Sequence, residues 1–138
     1  MVINMTQLKG YKINSLYFEN KIQGSQQLSL QNQVKYNVNY IDNDNKCIGI
    51  LNFRVFDTDM KPFEIKLEAV AEFGYDDGDE KADIHVDSFA QLFPYIRQAI
   101  SSVTSMSGMP PLMIPIMRLE RSSVNVADKE NNEEGMLN

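Results

Sequence analysis

The sequence predicts an α+β fold: a four-stranded antiparallel sheet covered on one face by one long helix of the C-terminal half. Three observations predict it. Stretches between Gly10 and Tyr75 alternate apolar and polar residues with the two-residue period of half-buried strands. Leu92, Ile96, Ala99, Val103 and Met106 then recur at four- and three-residue spacings, with Phe93 and Ile100 widening the stripe, as on one helix face. Short turn-rich segments link these stretches, so neighbours in sequence should pair.

The first strand is expected over Gly10–Ile22. Tyr11, Ile13 and Tyr17 share one parity and Leu16 and Phe18 the other, the pattern of a strand covered on both sides. Gln23–Asn32 reads as a polar link broken only by Leu28 and Leu30. In the second strand Val34, Tyr36, Val38 and Tyr40 alternate with Lys35, Asn37 and Asn39. After the turn composition of Asp42–Asn45, the third strand, Lys46–Phe56, sets Leu51, Phe53 and Val55 against Asn52 and Arg54. A second turn cluster, Asp57–Pro62, leads to the fourth strand, Phe63–Tyr75, with Phe63, Ile65, Leu67, Ala69, Ala71 and Phe73 on its inner face. An acidic loop, Asp76–Glu80, carries the chain to the helix, where Pro94 suits a first turn and Asp87 or Ser88 an earlier cap. Gly108 suits the left-handed stop, and Pro110 and Pro111 bar a restart. Residues 1–117 form the expected domain and residues 118–138 a polar, disordered tail.

With 138 residues the chain suits a single domain able to bury a core. A net charge of −6 and a pI near 4.7 disfavour nucleic acid and anionic membrane as partners. No run approaches a membrane span, the first residues lack the pattern of a signal peptide, and Cys47 is the only cysteine, so a reducing cytoplasm is the expected location.

No catalytic constellation is legible, and the expectation is a protein that is not an enzyme. His85 is the only histidine, and it reads as structural; Cys47 reads as a small buried residue. One His and one Cys exclude the usual zinc spacings. Asp42-x-Asp44 begins like a calcium loop, but Lys46 occupies the third ligand position. No phosphate-binding glycine loop is present, and neither a metal nor another cofactor is expected. The tyrosines of the second strand lack the surrounding cations of a base-stacking platform.

The segment after the helix is less ordinary. Met109, Leu112, Met113, Ile114, Ile116 and Met117 are apolar, yet Pro110, Pro111 and Pro115 deny them regular structure. Connecting loops are normally polar. Such a segment folds back under the helix, is buried at a subunit contact, or offers an adaptable surface, a use to which flexible, polarizable methionine is suited.

Leu92-Phe93-Pro94-Tyr95 with Arg97 and Ile100, followed by Gly108, Pro110-Pro111-Leu112 and Pro115-Ile116, resembles the signature of SecB-type export chaperones. The resemblance spans about Leu8 to Ile116 and is specific in the helix and loop, while the strands match only in pattern. It implies an acidic cytosolic chaperone that assembles as a dimer of dimers and holds unfolded client polypeptides in an apolar groove. It also implies transfer of clients to the SecA translocase motor through an acidic sheet surface. On that basis Tyr17, Phe18 and Ile22 of the first strand, with Met109, Leu112, Met113, Ile114, Ile116 and Met117, are the expected client-binding residues. Leu92, Phe93, Ile96, Ala99, Ile100, Val103 and Met106 are the expected interface of a homodimer or tetramer. The sequence departs from the family after the loop, where Met117–Ser123 replaces the usual Asn-Phe-Asp and second helix. This suits a remote member, including one dedicated to a toxin–antitoxin pair. The competing reading is an adaptor that buries the loop permanently in one fixed partner.

Overall fold

The computed structural model describes residues 6–120. Four strands, β1 (Thr6–Asn20), β2 (Leu30–Ile41), β3 (Lys46–Asp57) and β4 (Phe63–Tyr75), precede one helix, α1 (Lys81–Met106). All pairings are antiparallel and the sheet order is β1-β4-β3-β2. Strands β2 to β4 form the expected meander. The segment 21–29 carries the chain from one edge of the sheet to the other, so β1 adds to β4.

Alternation does its expected work in β3 and β4. Leu51, Phe53 and Val55 of β3 and Phe63, Ile65, Leu67, Ala69, Ala71 and Phe73 of β4 are buried on one face, which α1 covers. Strand β2 starts earlier than expected: Leu30 lies opposite Asp57 as its first residue.

In β1 the parity reading fails, and the reason is local. Two bulges leave Lys9 and Asn14 without partners, between Leu8 and Gly10 and between Ile13 and Ser15. Each inserts one residue, and each therefore reverses which residues face the core. Leu8, Tyr11, Ile13, Leu16 and Phe18 thus lie opposite Phe73, Ala71, Ala69, Leu67 and Ile65, all on the helix side. Tyr17 lies opposite Lys66, on the other face. The strand is not apolar on both sides.

The helix also begins earlier than expected, at Lys81, because its buried stripe extends back through Ile84, Ser88 and Phe89. Pro94 is therefore interior. It removes the N–H that would serve Ala90, but both residues are exposed, where water can take that place. The stripe runs Ile84, Ser88, Leu92, Ile96, Ile100 and Thr104, in steps of four. Each such step advances about 40° round the axis, so the buried line winds from one flank to the other along the twisted sheet. Val103 is half-buried and Met106 is 84% exposed, outside that line. The helix ends at Ser107, and Gly108 takes the left-handed conformation with φ 96°. No helix follows within the described residues. Leu119 packs on the core, and the expected tail beyond Glu120 lies outside the described residues.

Two polar clamps lock helix and turns to the sheet. Asp87 Oδ2 accepts from Thr6 N (2.9 Å) and Thr6 Oγ1 (2.6 Å), while Gln91 Nε2 donates to Thr6 O (2.7 Å). Asp57, buried at the end of β3, accepts from the backbone N–H of Ser29 (2.8 Å), Asp59 (2.9 Å) and Lys61 (3.1 Å). This holds a turn whose tip, Met60, has a φ of 65°, a left-handed conformation that non-glycine residues seldom adopt. Burial would raise the Asp57 pKa, but the three backbone donors and the Lys61 charge outweigh it and hold the carboxyl below its ordinary value. The unfolded chain then binds the proton more readily, so this stabilisation is present above the ordinary carboxyl pKa and is lost as pH falls through the lower, folded one. The melting-temperature gap between wild type and Asp57→Asn should be widest near neutrality and close below about pH 4. A gap of constant width across that range would mean that the charge contributes nothing.

Candidate functional site

The apolar segment after the helix does fold back, and it does so under polar control. Arg97 Nε donates to the carbonyl of Ile114 (2.7 Å), and Leu112 N donates to Thr104 Oγ1 (2.9 Å). Ser101 Oγ approaches Met113 Sδ at 3.9 Å. Residues 112, 113 and 114 thus stand beside 104, 101 and 97, and the segment runs antiparallel along the helix. Buried Thr104 serves both elements, since its hydroxyl also donates to the Ile100 carbonyl (2.9 Å).

These anchors sort the predicted residues. Ile114 is buried, and Met109, Leu112 and Met117 are half-buried against the core. Met113 and Ile116 point away from it, 72% and 67% exposed. Asn20 Nδ2 donates to Met109 Sδ (3.8 Å), which brings the loop to the end of β1. There Phe18 packs edge-on to Phe63 and, with Ile22, lies partly buried against the core. Tyr17 does not join them. It stands on the outer sheet face, its hydroxyl donating to Glu19 (3.0 Å), which raises its pKa. A shallow recess of about 290 Å³ opens between helix and loop, lined by Pro94, Arg97, Gln98, Ser101, Met113 and Ile114. From Gly108 to Met117 the loop carries no charged side chain. Its chemistry is that of contact with apolar side chains of varied shape.

The predicted interface residues fall in two groups. Leu92, Phe93, Ile96 and Ile100 are buried in the chain's own core, where Phe93 meets Phe53 and Phe89. They therefore present no side chain to a second copy. Ala99 and Val103 are half-buried and Met106 is exposed. Other apolar groups lie uncovered on the helix side of β1: Tyr11, Leu16 and Tyr95, the rings of Tyr11 and Tyr95 lying 4.8 Å apart.

Sequence reasoning missed Thr104 and Arg97 because both read as polar positions outside the apolar stripe. The available signal was the unbroken four-residue spacing from Ile84, on which Thr104 falls.

The other singled-out residues are structural. His85 sits edge-on to Tyr36 at 5.1 Å, and burial lowers its pKa. Cys47 is fully buried, which pushes its thiol up to about 12 and leaves no thiolate for chemistry. No group of three or more His, Cys, Asp or Glu placed to hold a metal occurs among the described residues, and no helix among them is long and apolar enough to cross a membrane. The outer sheet face is not acidic: Lys12, Lys35, Lys46, Arg54 and Lys66 share it with Glu19, Glu64, Glu68 and Glu72. Among the described residues that face carries no acidic surface of the kind the resemblance implied for a SecA contact.

No family model matches the chain, and no curated protein matches it. Solved structures do. The Mycobacterium tuberculosis Rv1957 SecB-like chaperone, solved in complex with a ChAD peptide from the HigA1 antitoxin, superposes with a TM-score of 0.64 at 15% identity, covering 82% of this chain and 88% of that one. A protein of unknown function from Streptococcus agalactiae superposes with a TM-score of 0.51 at 12% identity, covering 80% of this chain and 97% of that one. The chain has a SecB-like fold.

Proposed function

We propose that this protein is a non-catalytic chaperone that holds unfolded or extended polypeptide segments against the apolar surface formed by the 109–117 loop and the end of β1. The observation that carries the reading is the state of the loop. Arg97 and Thr104 fix its backbone, Ile114 anchors it, and Met113 and Ile116 are left facing outward. An apolar side chain held outward by polar anchors is set for contact with something else, and methionine adapts to varied partners at low cost. Phe18, Ile22, Met109, Leu112 and Met117 border that surface. The SecB-like neighbour binds an antitoxin peptide, and this favours a peptide client here, including a dedicated one. General protein export with transfer to SecA has less support, given the mixed charge of the outer sheet face.

Self-association as a dimer or tetramer belongs to the same proposal. Among the apolar residues that remain uncovered, Tyr11, Leu16, Tyr95 and Met106 flank the helix layer and are available to a second copy. A cytoplasmic location fits the lone buried thiol.

The test is suppression of the aggregation of an unrelated unfolded protein. Wild type should suppress it, and Met113→Ser with Ile116→Ser should lose most of that effect at an unchanged melting temperature, since both side chains are largely exposed. Absence of suppression by wild type, with tight binding to one partner only, would favour the adaptor reading. On the same sample, light scattering at micromolar concentration should report at least a dimer.

A further inference from the structure

A concavity of about 620 Å³ lies on the sheet face away from the helix and the loop. The strand register arranges its lining in rows. Lys35, Asn52, Glu68 and Ser15 form one row across β2, β3, β4 and β1, and Gln33, Arg54 and Lys66 form the next, with Tyr17 continuing that row outside the lining. Arg54 and Lys66 are therefore direct cross-strand partners, an arrangement that like charges disfavour. One carboxylate serves both: Glu64 Oε2 lies 2.5 Å from Arg54 Nε and 4.0 Å from Lys66 Nζ. Lys35 is exposed and makes no ion pair among the described residues. The one carboxylate in the lining, Glu68, accepts from Asn14 Nδ2 (3.2 Å). Outside the recess, Glu19 accepts from Tyr17 and pairs with Lys21, and Glu72 pairs with Lys46. A chain of net charge −6 thus holds an excess of positive charge in one recess, with Gln33 and Asn52 as further donors.

We infer that this recess is a second binding surface, one that takes a short acidic peptide segment in extended conformation. Lys35, Arg54 and Lys66 stand on three successive strands, so their backbones span about 10 Å. Arg54 and Lys66 share one row and one carboxylate, Glu64, while Lys35 stands in the next row, two residues along the strands and about 6.6 Å away. Two cation rows at that separation match carboxylates on alternate residues of an extended peptide running along the strands. The surface lies on the opposite side of the sheet from the client loop, and the inference stands independently of the chaperone reading.

The test uses the full chain and a fluorescein-labelled hexaglutamate peptide, followed by anisotropy at low salt. Wild type should bind, and binding should weaken as salt rises. Lys35→Gln with Lys66→Gln should weaken it by at least about fivefold at an unchanged melting temperature. The control pair Lys9→Gln with Lys21→Gln, outside the recess, should leave it unaltered. Lack of binding at low salt, or equal loss in the control pair, would overturn the inference. Displacement of the peptide by inorganic phosphate at matched ionic strength would overturn it as well, since that marks a site for a single compact anion.

Discussion

Ile96→Asp is expected to lose about 4 kcal/mol of folding stability, a drop of roughly 15 °C in melting temperature. Ile96 is fully buried between helix and sheet, in the part of the stripe shared with Leu92 and Ile100. A carboxylate there has neither water nor a partner, and protonating it still leaves a polar group in an apolar site. A loss of this size approaches the whole stability of a small domain. The damage falls on the chain itself, before any assembly is considered. Tyr95→Asp, one residue away on an exposed flank, should leave the melting of the chain near wild type and act only on self-association. Thermal melts of both variants, read together with light scattering, check this. A native melting temperature for Ile96→Asp would sink the assignment of the buried face.

Gly49→Ala should cost about 2–3 kcal/mol although it adds a single methyl group. A Cβ at Gly49 would collide with the Tyr36 hydroxyl and meet its ring carbons at 2.9 and 3.0 Å. The ring cannot move aside freely. Its hydroxyl shares a 2.6 Å hydrogen bond with Ser88 in the buried helix face, and its edge packs on Phe89 and His85. The substitution must therefore break that bond or push β3 away from its neighbour. In a double-mutant cycle with Tyr36→Phe, the two changes should couple by about 1 kcal/mol, Gly49→Ala costing less once the hydroxyl is gone. Additive behaviour measured by urea unfolding would mean that the ring is not held as described.

Most of the architecture was legible because it rests on periodicity. Strands β3 and β4 and the central helix stripe each bury the residues that alternation or helical spacing marks. The failures share a different origin. In β1 a rule of strict alternation meets two extra residues, and the available hints were the glycine and asparagine that stand at the bulges, Gly10 and Asn14. At the C-terminal end of the helix, three- and four-residue spacing selected Val103 and Met106, whereas the structure buries Thr104. A threonine that bonds back to the carbonyl four residues earlier conceals its polarity, and it gains a purpose only from a loop still to come. The loop was recognisable as unusual from its composition, but which of its side chains face outward depends on Arg97 and Thr104, tertiary contacts that composition does not encode. The parity of Tyr17, and with it one predicted site residue, was lost with the bulges.

Those bulges make β1 a strand read in three frames. Leu8 lies in one phase, Tyr11 and Ile13 in the opposite phase, and Leu16 and Phe18 in the first again. Deleting Asn14 alone would place Ser15 directly after Ile13 and restore regular alternation there, with Ile13 and Leu16 still opposite Ala69 and Leu67. Deleting Lys9 and Asn14 together keeps every inward residue inward on a strand two residues shorter. Length variation in this strand is thus expected to be tolerated at Lys9 and Asn14, singly or together, and to be damaging at the paired positions between them, where a deletion reverses the inward set.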